Sequence, residues 1–271
     1  MLFPLLLSAA TAGTWDVEHQ VAVAWFPKGA RYALEAEYRM PASWQSDSPL
    51  FDDVFFAPGV IAEVTPAYTR IGGSVHFSPI AVLDIKAQAL ATGYYGTFSG
   101  VTDFDSADAD YSEAAFDTDE VIARKHAGIG FHYGVTPTLR AKVSHLIVAL
   151  PQEFTRFTVL RPDKASGDFW YEPQYDALMG WNDTVMVNTA LAFWAFREST
   201  DDDPRFVWAG LRFDHSLVFG TDVRQVKFGP MLVLKPGRSD LSPKLVFFAQ
   251  AWLESRIHPR FPPYLALALL W

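Results

Sequence analysis

The chain of 271 residues contains no cysteine, which excludes a disulfide framework and thiolate metal sites and fits an envelope compartment outside the cytoplasm. Basic residues are in the minority. With 22 Lys and Arg against 31 Asp and Glu, the formal net charge is −9, and no basic stripe appears anywhere, so nucleic acid is not an expected partner. Long apolar runs are also missing. Beyond the N-terminal segment, no stretch approaches the ~18 consecutive apolar residues of a membrane-spanning helix. A chain of this kind crosses a membrane only as a closed barrel, the other structure that satisfies every backbone group in lipid.

What is present points that way. Aromatic residues make up 15% of the chain and include nine Trp, a content natural where aromatic girdles mark membrane interfaces. Residues 1–12 (MLFPLLLSAATA) read as a signal peptide: a short apolar region ends in the A-x-A pattern Ala10-Thr11-Ala12, leaving Gly13 or Thr14 as the mature N-terminus. The basic residues that open such a leader are missing, so the start is expected upstream of Met1, or Met1 to be assigned late.

From residue 15 the chain alternates. Trp15, Val17, His19, Val21, Val23 and Trp25 share one face of a period-2 strand, and Asp16, Glu18, Gln20, Ala22 and Ala24 share the other. Past a turn at Pro27-Lys28-Gly29, Tyr32, Leu34, Ala36, Tyr38 and Met40 oppose Arg31, Ala33, Glu35, Glu37 and Arg39, completing a hairpin. The same pattern returns at 84–91, 121–133, 139–148, 206–215, 223–234 and 244–254. Residues 185–196 form the least polar strand, with Asn188 expected inward. Together with a long strand starting near Val60 and the C-terminal strand, these segments number eleven, an odd count, whereas a single-chain barrel needs an even one. Taking Leu50–Phe56 as an extra short strand, turned over at Ala57-Pro58-Gly59, restores parity at about 12, with about 10 or 14 as alternatives.

The C-terminal residues Tyr264–Trp271 (YLALALLW) alternate as well, with Leu265, Leu267, Leu269 and Trp271 on one face. This ending resembles that of bacterial outer-membrane β-barrel proteins of the porin-like kind. The resemblance implies an all-β, transmembrane, antiparallel up-and-down barrel over 13–271, with these four residues closing it and serving as the signal read by the barrel-assembly machinery. It further implies a Gram-negative outer-membrane location, contact with outer-membrane lipids and lipopolysaccharide, and possible envelope protein partners. Long loops are expected near 41–50, 96–120 and 159–183.

On that reading the lumen is lined by acids (Asp16, Glu18, Glu35, Glu37, Asp84, Asp214, Glu254) and bases (Arg31, Arg39, Lys86, Arg124, Arg140, Lys142, Arg212, Lys227, Lys244). A lumen of mixed sign can knit itself shut with ion pairs, whereas a selective pore presents a ring of one sign. The functional expectation is therefore a porin-like conduit or a structural anchor for envelope or surface partners. Other classes compete with it. An outer-membrane lipid- or lipopolysaccharide-modifying hydrolase would need a nucleophile facing the acyl chains, and Ser74, two residues from His76 on one face, lies on the face assigned inward. The stretch Trp170–Asp176 (WYEPQYD) is similar to a Tyr-Glu-Pro stretch of outer-membrane phospholipase A, but that family's catalytic motif has no counterpart here, so no catalytic residue is carried over. A soluble β-sandwich or lipocalin-like carrier shares the alternation. No cofactor is expected. Between Asp103 and Glu120 there are eight acids and no Lys or Arg. Asp105, Asp108 and Asp110 are weak calcium candidates there, and a solvated, partly disordered loop is the plainer reading.

Overall fold

The computed structural model describes residues 13–25, 29–97, 101–200, 202–239, 242–258 and 263–271. The proposed leader, residues 1–12, lies outside the described residues, as do Pro27 and Lys28 of the first turn. In chain order the strands begin with β1 (Thr14–Trp25), β2 (Gly29–Pro41), β3 (Phe55–Val64), β4 (Tyr68–Ile80), β5 (Leu83–Tyr95) and β6 (Asp103–Phe104). Two short helices follow, α1 (Glu113–Phe116) and α2 (Asp119–Ile122). Next come β7 (Ala127–Val143), β8 (Leu146–Val159), β9 (Phe169–Glu172), β10 (Ala177–Gly180) and β11 (Asn182–Arg197). The last four are β12 (Phe206–Val218), β13 (Val223–Lys235), β14 (Lys244–Glu254) and β15 (Tyr264–Leu270).

Twelve of these strands close into one antiparallel barrel, each beside its neighbour in sequence once β6, β9 and β10 are set aside as a separate small sheet. Closure joins the first and last strands, with Gln20 opposite Leu270 and Trp25 opposite Leu265. Trp271 continues the pairing: its carbonyl accepts from the His19 amide at 2.8 Å, and its ring stacks on His19 with centroids 5.7 Å apart. Closure leaves no free sheet edge.

The two faces separate as the alternation predicts. Val21, Val23, Leu267 and Leu269 point outward with Val60, Ile71 and Leu139, and Ile71 is 64% exposed. Such a surface is unfavourable in water and natural in acyl chains. The exposed Trp residues lie toward its two ends, whereas Tyr133, Phe154, Phe213 and Phe228 are exposed between them. Trp15, Trp194, Phe196 and Trp271 lie at the end holding both chain termini, and Trp25, Tyr32, Tyr95 and Phe219 at the other, the loop end. Close inward approach is purchased with glycine at Gly72, where a Cβ would collide with the Ala89 carbonyl of β5.

Several segment boundaries differ from the sequence expectation. Leu50–Phe56 is not an extra strand: residues 50–54 are turn and coil, and β3 runs straight through Ala57-Pro58-Gly59. The even count comes instead from residues 65–67, which break the long strand expected from near Val60 into β3 and β4. The segments expected at 121–133 and 139–148 are parts of β7 and β8, and β8 extends to Val159. Their hairpin turns at Ser144 and His145, where Ser144 takes a positive φ of 54°, and Thr136-Pro137 lies inside β7. The long connections also divide differently. Residues 96–126 and 160–181 emerge at the loop end, but 42–54 emerges at the terminal end, so short turns and long loops do not strictly alternate.

The acidic segment is folded where it is described. Asp103 belongs to β6, and Phe104, Tyr111 and Phe116 are buried in an apolar cluster with Trp170, Tyr171, Leu178 and Met179 of the β9–β10 hairpin. Asp103 itself is 1% exposed and accepts from the amides of Ser166 at 3.1 Å and Gly167 at 2.7 Å. Backbone donors satisfy this carboxylate, which is why an acid-rich loop can pack here.

Candidate functional site

Register puts the even-numbered residues of β4 and β5 and the odd-numbered ones of β2 and β3 inside. The resulting wall is densely charged. Lys86 pairs with Glu35 and lies 3.8 Å from Glu37. His76 bridges two carboxylates, its Nδ1 being 3.0 Å from Glu37 and its Nε2 2.6 Å from Asp84. Arg140 extends the chain to Asp84 at 3.9 Å and Asp53 at 3.4 Å. A second series runs from Arg31 to Glu63 at 3.7 Å, and from Glu63 to Arg70 at 4.0 Å. Charges of opposite sign thus satisfy one another across neighbouring strands, and no single-sign ring forms around the lumen among the described residues.

Arg70 leads out of the wall. Its guanidinium donates to Glu172 at 2.9 Å and to Gln174, both on the β9–β10 hairpin, which therefore folds into the barrel. Glu172 has no exposed surface; its carboxylate also accepts from the Tyr94 hydroxyl at 2.7 Å and the Gln174 amide at 3.1 Å. The hairpin turns through Asp176, which holds a positive φ of 51°, a conformation Asp tolerates better than most residues. Around that turn Tyr175 bonds Glu153 of β8, His258 bonds Asp176, and Gln225 of β13 donates to the Asp176 carbonyl at 2.7 Å. Trp170 packs edge-on against Tyr94, with centroids 5.4 Å apart. The hairpin is thus pinned to β4, β5, β8 and β13 and fills the loop-end mouth.

Beneath it lies a polar cavity of about 240 Å³, roofed by Gln174 and Tyr175 and walled by Glu18, Arg31, Glu35 and Lys86 among others. Asp16 and Glu18, nearer the terminal end on the inward face, are exposed, so this half of the lumen admits water. The opposite wall is less polar. There Asp214 accepts from Thr189 at 2.7 Å, Arg212 at 2.8 Å and Gln250 at 2.7 Å, and Lys227 rests over the rings of Trp252 and Tyr264.

The expected lumen residues thus fall into groups. Arg31, Glu35, Glu37, Asp84 and Lys86 converge on one wall, and Arg212, Asp214 and Lys227 on the other. Arg39 packs its guanidinium 3.9 Å over Phe55. Arg140 reaches toward the terminal rim, where Lys142 pairs with Glu198 at 2.7 Å, and Lys244 and Glu254 are exposed at the two ends of β14. Arg124 does not line the lumen: it follows α2 in the long loop and pairs with Asp105 at 2.7 Å. Asn188 faces outward, because its β11 neighbour Thr189 is the residue that meets Asp214 inside.

The weak calcium candidates do not converge. Asp105 pairs with Arg124, Asp108 with Arg256, and Asp110 accepts from the Ser112 amide at 2.9 Å. Among the described residues no group of three potential ligands is suited to a metal ion. Ser74 is inward and buried, donating to Glu35 at 3.4 Å, so its hydroxyl is turned away from the outer face. Sequence reasoning missed the hairpin's descent into the barrel. The signal was available in Trp170 and Tyr171, two large aromatics in a segment expected to be a long loop.

No family model matches the chain, and no curated protein matches it. Among solved structures, the crystal structure of the beta domain of the Bordetella autotransporter BrkA is similar over 96% of this chain and 98% of that one, at 11% identity and a TM-score of 0.46. By its own geometry the chain is a closed antiparallel barrel with an apolar exterior and a charged interior.

Proposed function

We propose that the protein is an integral barrel of the bacterial outer membrane, closed at its outer mouth, and that it serves as a structural anchor for envelope or surface partners. The observation that carries this reading is the β9–β10 hairpin, held in the mouth by the buried Arg70–Glu172 pair. With both termini on the periplasmic side, the long connections 96–126 and 160–181 face outward, available to a surface partner. Outer-membrane lipids and lipopolysaccharide would surround the apolar belt, and the strand ending in Trp271 would be read during assembly. No catalytic role is proposed.

The water-accessible cavity supports a second reading, a conduit that opens when the hairpin withdraws. Planar-bilayer recording separates the two. The full chain should be electrically silent, whereas a variant lacking Phe169–Gly180 should give stable unit currents. A steady unit current from the full chain would replace the anchor by a conduit.

A further inference from the structure

The outward face is apolar almost everywhere at mid-depth, but one row breaks the pattern. Gln152 of β8, Asn188 of β11 and His215 of β12 are register partners across three adjacent strands, and all three point outward. The Asn188 amide lies 3.4 Å from His215 Nδ1, and among the described residues the Gln152 amide has no hydrogen-bond partner. On β11, Asn188 is four residues below Thr184, which accepts from Arg156 at 3.2 Å near the loop end, and six above Trp194 of the terminal girdle. At about 2.5 Å of depth per residue for a strand tilted about 40°, the row sits roughly 10 Å below the first level and roughly 15 Å above the second.

The strand ladders are also interrupted at this level, as they are beside Pro58 and Pro230 elsewhere in the wall. The β7–β8 ladder is interrupted between the pairs Val135/Phe154 and Thr138/Pro151, and the β8–β11 ladder between Asn188/Gln152 and Leu191/Ala149. Pro137 and Pro151 lie in those gaps and have no N–H to donate. Polar side chains and missing ladder donors coincide where acyl chains can satisfy neither.

We infer that this row is the centre of an intramembrane interface with a second copy of the same chain, related by a two-fold axis along the membrane normal. All copies insert in one orientation, so Asn188, placed on the axis, meets its counterpart at its own depth, flanked by Gln152 and His215 of each copy. Amides both donate and accept, so Asn188 can satisfy its counterpart across the axis while Gln152 faces the His215 side of the second copy, whereas a foreign partner would need matching polar groups at the same depth. Ala190, Ala192 and Ala209, below the row, let the walls approach. The inference rests on the barrel being embedded in a bilayer.

Because the chain has no cysteine, Asn188→Cys provides a unique probe. In lipid vesicles this variant should be cross-linked into dimers by a short bis-maleimide, while Ala36→Cys, outward on β2 across the barrel, should not. In detergent, light scattering should give the wild type twice the protein mass of a Gln152→Leu, Asn188→Leu, His215→Leu variant, with both showing the heat-dependent gel shift of a folded barrel. A wild type that needs detergent yet remains monomeric, or cross-linking at 188 no stronger than at 36, would overturn the dimer. A wild type that stays monodisperse without detergent would overturn the membrane reading beneath it.

Discussion

A carboxylate with no exposed surface needs partners for its oxygens, and Glu172 finds them in Arg70, Tyr94 and the Gln174 amide. Burial nevertheless raises its carboxyl above the ordinary carboxylate range, the Arg70 guanidinium and the Tyr94 hydroxyl pulling it back by less. The proton is therefore held more tightly with the hairpin docked than with it free. Its contribution to docking is full below the ordinary carboxylate value and is lost as pH rises through the raised one. Limited proteolysis of the hairpin should accordingly be slower at acid than at neutral pH, and Glu172→Gln should flatten that dependence. Arg70→Ala should act much more severely, because it strands a buried charge at a cost of about 3–5 kcal/mol. Equal protease sensitivity of Arg70→Ala and the wild type would show that the pair does not hold the hairpin. Little of this was legible beforehand. Arg70 could be placed inward by alternation, but its partner lies 102 positions away on a segment that alternation does not describe.

Strands were more readable than their ends. Within Trp15–Trp25 and Tyr32–Met40 the positions alternate between an apolar outward face and an inward face of water or ion pairs, so a period of two survives in the sequence unaided. Turns leave weaker traces. Val135-Thr136-Pro137 has the composition of a turn, yet β7 carries it in extended form, and the actual reversal uses Ser144 in a conformation typical of glycine. Proline misleads here because a strand can lose one ladder bond and continue. Glycine is informative at the same scale: Gly72→Val would drive a side chain into the β5 backbone at Ala89. Overpacking of this kind costs about 1–3 kcal/mol, so the refolding yield, read as the heat-modifiable band, should fall well below that of Gly73→Val, whose Cβ would meet nothing nearer than 3.7 Å. Equal yields would mean that the barrel wall relaxes there.

At the scale of the whole molecule, the barrel and its two-faced wall follow from alternation, but the state of its lumen does not. Alternation assigns each side chain to an interior or an exterior, and it is silent on whether a loop enters that interior. Long-range packing decides the matter through Trp170, Leu178 and Met179, which are buried in the apolar cluster at the mouth. The apolar outward face of such a barrel belongs in acyl chains. Spin labels placed singly along β15, at 265 through 269 in protein reconstituted into vesicles, test it most directly. Collision rates with oxygen should be high at 265, 267 and 269 and low at 266 and 268, with a polar nickel reagent excluded from the outward positions. Outward labels that collide freely with the polar reagent would contradict the account.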